Sequence, residues 1–423
     1  MRTTIITLLA LTTAASAMAA ETNLADRVAA LEAKLAAVEQ PAPNALNTYW
    51  KNGFILETTD KQFRLQPFGR IHVDAAFFDA DPELEEANAP FDDGVKFRRA
   101  RLGLRGTVYE NTEFVAEYDF AGSTAFRSVY IGLKEVPVVG NIRAGHMIEP
   151  FGMEELCSNN YISFMERGFT SAFTPVENTG LMVFDTAAGQ RMTWALGVFK
   201  DTGALGDSVS NEEFAVTARL TGLPYATEKG RDYLHLGYST SYRGVGDTGY
   251  RARARPESSI APFVVDTKNL DADTAYLHGL ETILTLNRFS LQGEWMLSTV
   301  DLDATDKAPS SDADFTAYYL GASYFLTGEY RPYVRKDALP GRVIPNRNVT
   351  KGSLSGGAWE IAARYSAIDL NDGTVTGGEM DSVALGLNWY LNPNTRLMWN
   401  YAMSDVQDEG DVDTFEMRVQ IDF

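Results

Sequence analysis

The sequence predicts an all-β chain: a 16-stranded antiparallel transmembrane β-barrel preceded by a short, coiled-coil-like periplasmic helix. Three observations predict it. Sixteen stretches beyond residue 65 alternate apolar and polar residues with a period of two. Their polar face carries Arg, Glu and Asp repeatedly, which a dry core could not accept without several kcal/mol per unpaired charge. The connections between the stretches are mostly short and long in turn, as when one end of a barrel carries turns and the other loops.

The first element is a leader. Residues 1–20, MRTTIITLLALTTAASAMAA, place Arg2 before an apolar run from Ile5 to Leu11 and end on the small-residue pattern Ala17-Met18-Ala19. The run is too short to span a bilayer as a helix, and no later stretch approaches the ~20 apolar residues a spanning helix needs. The mature chain then begins near Glu21, outside the cytoplasm.

A helix follows over 21–43. Leu24, Val28, Leu31, Leu35 and Val38 form an a/d seam of about two heptads, closed by Pro41-Ala42-Pro43. So short a seam is expected to oligomerise only if the body behind it already does.

The strands are expected at 65–78, 95–109, 112–121, 126–135, 140–147, 179–187, 191–200, 212–221, 232–242, 276–287, 289–299, 315–326, 357–369, 381–391, 395–404 and 412–423. The last is the clearest: Phe415, Met417, Val419, Ile421 and Phe423 alternate with Glu416, Arg418, Gln420 and Asp422. Tight turns are expected at 110–111, 188–190, 287–288 and 392–394, and longer loops at 79–94, 148–178, 201–211, 243–275, 300–314, 370–380 and 405–411. The connection 327–356 is too long for a periplasmic turn, and such segments are usually functional or disordered. A soluble sandwich also alternates. The Leu-, Val- and aromatic-rich outer face, the charged inner face and the closure that lipid demands of every backbone group favour the barrel. Sixteen strands leave a water-filled lumen.

Composition excludes several functions. The net charge of −20, or −21 once Arg2 is removed, argues against nucleic-acid binding. The single Cys157 rules out an internal disulfide. The four histidines sit in no nucleophile motif, so an enzyme is not expected. No cofactor or metal is expected. The aspartates of 300–314 and 405–413 read as a solvated face, or one bridged by cations to anionic lipid.

The candidate site is therefore whatever lines the lumen. Arg70, Arg99, Arg101 and Arg105 fall on the polar face of early strands, opposite Glu113, Glu117 and Asp119. Segment 327–356 carries Arg331, Arg335, Lys336, Arg342, Arg347 and Lys351 against Glu329 and Asp337, a local inversion in an acidic protein. The stretch YRARARPES adds Arg251, Arg253 and Arg255. Folded inward, these segments would make a positive filter, since rings of Arg and Lys select anions. The 148–178 loop follows the fifth strand, where a constriction loop belongs, but holds five glutamates and one arginine.

Four stretches in order, FRRARLGLRG, EPFGMEELCSNNYISFMERG, GRVIPNR and GAWEIAARYSAIDLNDG, together resemble the phosphate-selective porin O and P family. The resemblance implies a homotrimeric outer-membrane porin with inward-folded loops, an arginine-rich path to a lysine-containing constriction, and transport of small anions such as phosphate or pyrophosphate. The basic path carries over onto Arg99, Arg101, Arg105 and the cations of 327–356. The expected partners are outer-membrane lipid, small anionic solutes, two further copies of the chain and, through residues 21–40, a periplasmic cell-wall component. The alternative is a general or cation-preferring porin that tethers the outer membrane through its N-terminal helix.

Overall fold

The computed structural model describes residues 24, 26–34, 45–122, 124–210, 214–227, 230–246, 249–304 and 311–423. The leader, Leu35, Val38 and the Pro41–Pro43 stop lie outside the described residues. Residues 26–34 are helical, and Leu24, Val28 and Leu31 of the expected seam are exposed.

Sixteen strands close into a barrel. They are β1 (Phe63–Ala80), β2 (Gly94–Val108), β3 (Thr112–Asp119), β4 (Ala125–Val136), β5 (Gly140–Ile148), β6 (Glu177–Ala187), β7 (Met192–Lys200) and β8 (Phe214–Ala226). The second half is β9 (Asp232–Gly244), β10 (Ala272–Leu286), β11 (Phe289–Leu302), β12 (Ser311–Phe325), β13 (Ala358–Asp372), β14 (Val375–Asn392), β15 (Thr395–Val406) and β16 (Gly410–Asp422). Each pairs antiparallel with the next, and all sixteen expected stretches are strands.

Closure comes from β16 on β1, in register from Val412 opposite Ala80 to Asp422 opposite Arg70. Phe423 then exchanges two backbone bonds with Gly69, at 3.0 and 3.1 Å. The position must be glycine. A Cβ there would stand 2.6 Å from the carbonyl oxygen of Arg101 and 2.7 Å from the Phe423 ring. Gly69→Val is expected to cut the yield of folded barrel sharply, read as loss of the heat-modifiable band on gels. Phe415, Val419, Ile421 and Phe423 face outward, while Glu416, Arg418, Gln420 and Asp422 are buried inside.

Two expectations about connections fail. Residues 370–380 are no loop: β13 and β14 run on to a two-residue turn at 373–374, with Gly373 at φ +56°. The glycines at 377 and 378 hid the strand; a Cβ on the first would meet Leu370 of β13 and Thr267, and one on the second Val265, the last two belonging to an inserted loop that presses against them. Residues 405–411 likewise hold only a three-residue turn. A hairpin, Leu46–Trp50 and Phe54–Thr58, was not foreseen; it extends the sheet beside the start of β1 through Leu56–Leu65 and Glu57–Arg64.

Three connections enter the lumen: residues 149–176, 245–271 and 326–357. Phe151, Phe169, Phe173, Val264 and Val265 from the first two make an apolar cluster with Ala275, Leu277, Met296 and Phe315 of the wall. They fill one side of the barrel. Inward residues of β8 to β16 are nearly all buried, whereas Lys96, Arg105, Glu113, Tyr130, Arg143 and Phe184 on β2 to β6 are exposed or half-buried. The open water path therefore runs along the early strands.

Candidate functional site

A segment inside the lumen has no strand partner, so its carbonyls need other donors. Wall side chains, and Arg331 of the 326–357 segment, supply them to the 149–176 loop. Arg331 donates to the Tyr161 carbonyl at 2.5 Å, Arg396 to Ile162 at 2.7 Å, Asn388 to Ser163 at 2.8 Å, Arg418 to Met165 at 2.6 Å and Arg364 to Glu166 at 3.1 Å. The loop thus lies on a rail of guanidinium groups across β13 to β16.

Its four glutamates, and Glu177 at the start of β6, take partners too. Glu149 pairs with Arg243 at 2.9 Å, Glu154 with Arg364 at 3.6 Å, Glu155 with Arg167 at 3.3 Å and Glu177 with Arg127 at 2.7 Å. Glu166 sits between Arg98 at 2.7 Å and Arg418 at 3.0 Å, and Arg418 also grips Asp74 at 2.6 Å. Burial opposes ionisation of Glu166, but the charges of Arg98, Arg99 and Arg418 outweigh it and hold the carboxyl well below the usual carboxylate range. The acidic loop is neutralised by the wall. Cys157, in the same loop, is buried and its thiol is pushed up to about 12 by burial. A maleimide reagent should leave the folded protein unlabelled and label it once unfolded.

Many expected path residues are likewise paired. Arg70 meets Glu117 at 3.0 Å, Arg101 meets Asp119 at 2.7 Å and Arg251 meets Asp266 at 2.5 Å, and nearby Arg143, which was not among them, meets Glu113 at 2.7 Å. Segment 326–357 divides. Arg331 is buried against Glu360, and Arg342 binds Asp422 and the Pro393 carbonyl. Its short hairpin, Tyr333–Val334 with Leu339–Pro340, docks on β8 to β10 through Tyr333 on His235 at 2.7 Å and the Ala338 carbonyl on Arg219 at 3.2 Å. Arg335 and Lys336 lie at the tip, with no carboxylate within 4.0 Å among the described residues; Arg347 and Lys351 are exposed and equally unpaired.

The cations converge elsewhere, in a vestibule of about 650 Å³ between β2 to β4, the 149–176 loop and the 245–271 loop. Lys96, Arg98, Arg99, Arg101, Arg127, Arg167, Arg253 and Arg255 line it, against Asp119, Glu155, Glu166 and Glu257. Eight cations face four carboxylates. Among the described residues, Lys96, Arg99, Arg253 and Arg255 have no carboxylate within 4.0 Å. Lys96 donates to the Ser259 carbonyl at 2.9 Å, and Arg99 lies 3.5 Å from His72 Nδ1. Below the vestibule Arg105, also unpaired, donates to Gln66 at 3.1 Å.

Lys96, Arg98 and Arg127 were not expected. A register shift between His72 and Val73, opposite Arg99 and Phe97, inserts Arg98 as an extra residue. Lys96 thereby joins Arg99 and Arg101 on the inner face while Phe97 stays outside. The sequence signal was the adjacent pair Arg98-Arg99, which a regular strand would divide between lumen and lipid.

A barrel of sixteen strands with loops folded inward and a cationic vestibule can be set beside known proteins. The model of the family described as phosphate-selective porin O and P matches residues 66–423. The chain belongs to that family. It is a channel protein of the bacterial outer membrane. Porin O of Pseudomonas aeruginosa is 26% identical over 88% of this chain and 91% of its own. Among solved structures, an anion-selective porin from Comamonas acidovorans aligns at a TM-score of 0.52 with 15% identity, covering 85% of this chain and all of that one. The trimer form of OmpT from Vibrio cholerae aligns at 0.53 with 11% identity, covering 85% and 99%. At those identities the structures speak for the fold alone.

Proposed function

We propose that this porin is a passive channel selective for small anions, and that its selectivity is set in the vestibule. One observation carries this reading: in a chain of net charge −20, the cavity on the open side is lined by twice as many cations as carboxylates, four of them unpaired. A low-dielectric wall focuses that potential on passing ions. The path continues past Arg70 and Arg105 to Arg335 and Lys336. The family's description makes phosphate the first solute to test, and we read the chain as a channel rather than an enzyme.

Reversal potential across a planar bilayer under a KCl gradient tests the reading, with anion preference expected and cation preference counting against it. A control follows from the geometry. Neutralising Arg347 and Lys351 together should leave selectivity unchanged, because both are exposed away from the vestibule. Fold likeness to a porin in trimer form supports a homotrimer, which sedimentation of the detergent-extracted protein should show. We further propose that residues 1–20 are the cleaved leader and that the helix following them reaches into the periplasm as a tether.

A further inference from the structure

Charge alone does not require the unpaired cations of the open side to be arginines seated on rings, yet Arg105, Arg253 and Arg255 are. The guanidinium carbons of Arg253 and Arg255 both lie 3.9 Å from the centroid of Phe263. Arg105 lies 5.0 Å from that of Phe68. Phe169 closes the floor of the same vestibule, and the volume of about 650 Å³ falls within the range of pockets that hold small organic ligands.

These are stacking surfaces as well as charges. A guanidinium is planar, weakly hydrated, presents a fork that fits a carboxylate and stacks on π-faces. Arg253 is exposed to the cavity, with one face on Phe263 and its donors free of any carboxylate. A tetrahedral, strongly hydrated phosphate gains the charge and the hydrogen bonds. A flat aromatic carboxylate gains both and extends the stack.

We propose that the vestibule is a binding site for planar aromatic anions, aryl carboxylates above all, and that it holds them more tightly than inorganic phosphate of equal charge. The proposal rests on the anion-channel reading and names the solute class within it.

Block of chloride current by phthalate and by hydrogenphosphate, at a pH where both are dianions, tests it. Phthalate should half-block at a concentration about fivefold lower, the size of one exposed cation–π contact. Arg253→Lys keeps the charge and removes the plane; Phe263→Leu keeps the apolar bulk and removes the ring. Each should shrink the phthalate-to-phosphate ratio toward unity. Equal block by the two anions in an anion-selective channel overturns this proposal and leaves the anion reading standing. A ratio that survives both substitutions overturns it as well. Cation selectivity of the parent channel removes both readings together.

Discussion

Replacing Lys96, Arg253 and Arg255 together with glutamine is expected to lower the chloride-over-potassium permeability ratio by about tenfold. The reason lies in which vestibule cations are already spent. Arg98, Arg101, Arg127 and Arg167 each face a carboxylate at 2.7–3.3 Å, and Arg99 is buried behind the loop. The three replaced residues carry most of what a passing ion feels. An anion about 8 Å from one such charge gains roughly 2 kcal/mol at an effective dielectric of 20. Salt screens part of this, and losing three charges still exceeds the ~1.4 kcal/mol of a tenfold change. None of the three holds a loop by an ion pair, so the variant should remain a folded barrel with near-parental conductance. A ratio unchanged in that variant would move selectivity out of the vestibule.

Arg418→Met is expected to have the other large effect, on stability and conductance together. Arg418 is 1% exposed and grips Asp74, Glu166 and the Met165 carbonyl at once. Removing it strands the buried carboxylate of Asp74 and leaves Glu166 to Arg98 alone, a change that costs on the order of 3–5 kcal/mol. The 149–176 loop loses its anchor at Met165 and Glu166. Single-channel recording should show larger, noisier openings, and the folded protein should unfold at lower temperature. A quiet parental conductance would mean that the remaining anchors, Arg331, Arg364, Asn388 and Arg396 with the apolar cluster, hold the loop without Arg418. Mild acid should not mimic the substitution. The folded pKa of Glu166 is depressed, so its contribution is present above the unfolded value of 4.5 and is lost only as the pH falls through the lower folded value. Conductance should therefore stay flat on acidification to about 4.5.

The barrel was legible in the sequence because strand period and lipid face are local properties. FEMRVQIDF alone shows inside and outside, and its register on β1 closes the barrel. What period two could not show were the places where it breaks. The Arg98 bulge shifted Lys96 onto the lumen face, and Gly377-Gly378 concealed the first third of β14 beneath an inserted loop. The cations of the site were legible as a set and not as individuals. Arg101 and Arg105 sit two places apart on one face, yet one is neutralised by Asp119 and the other by no carboxylate among the described residues. That difference arises from which neighbouring strand carries a carboxylate at the matching register, which alternation does not encode. The glutamates of 149–176 misled in the same way. They signal an acidic constriction in the sequence, and in the fold they are the handles by which wall arginines hold the loop.

The most direct test of the central claim is the sign of the reversal potential for purified protein in a planar bilayer under a KCl gradient. The cationic vestibule predicts a potential displaced toward the chloride equilibrium value, in a protein whose net charge of −20 would by itself suggest the opposite. Displacement toward the potassium value would contradict it.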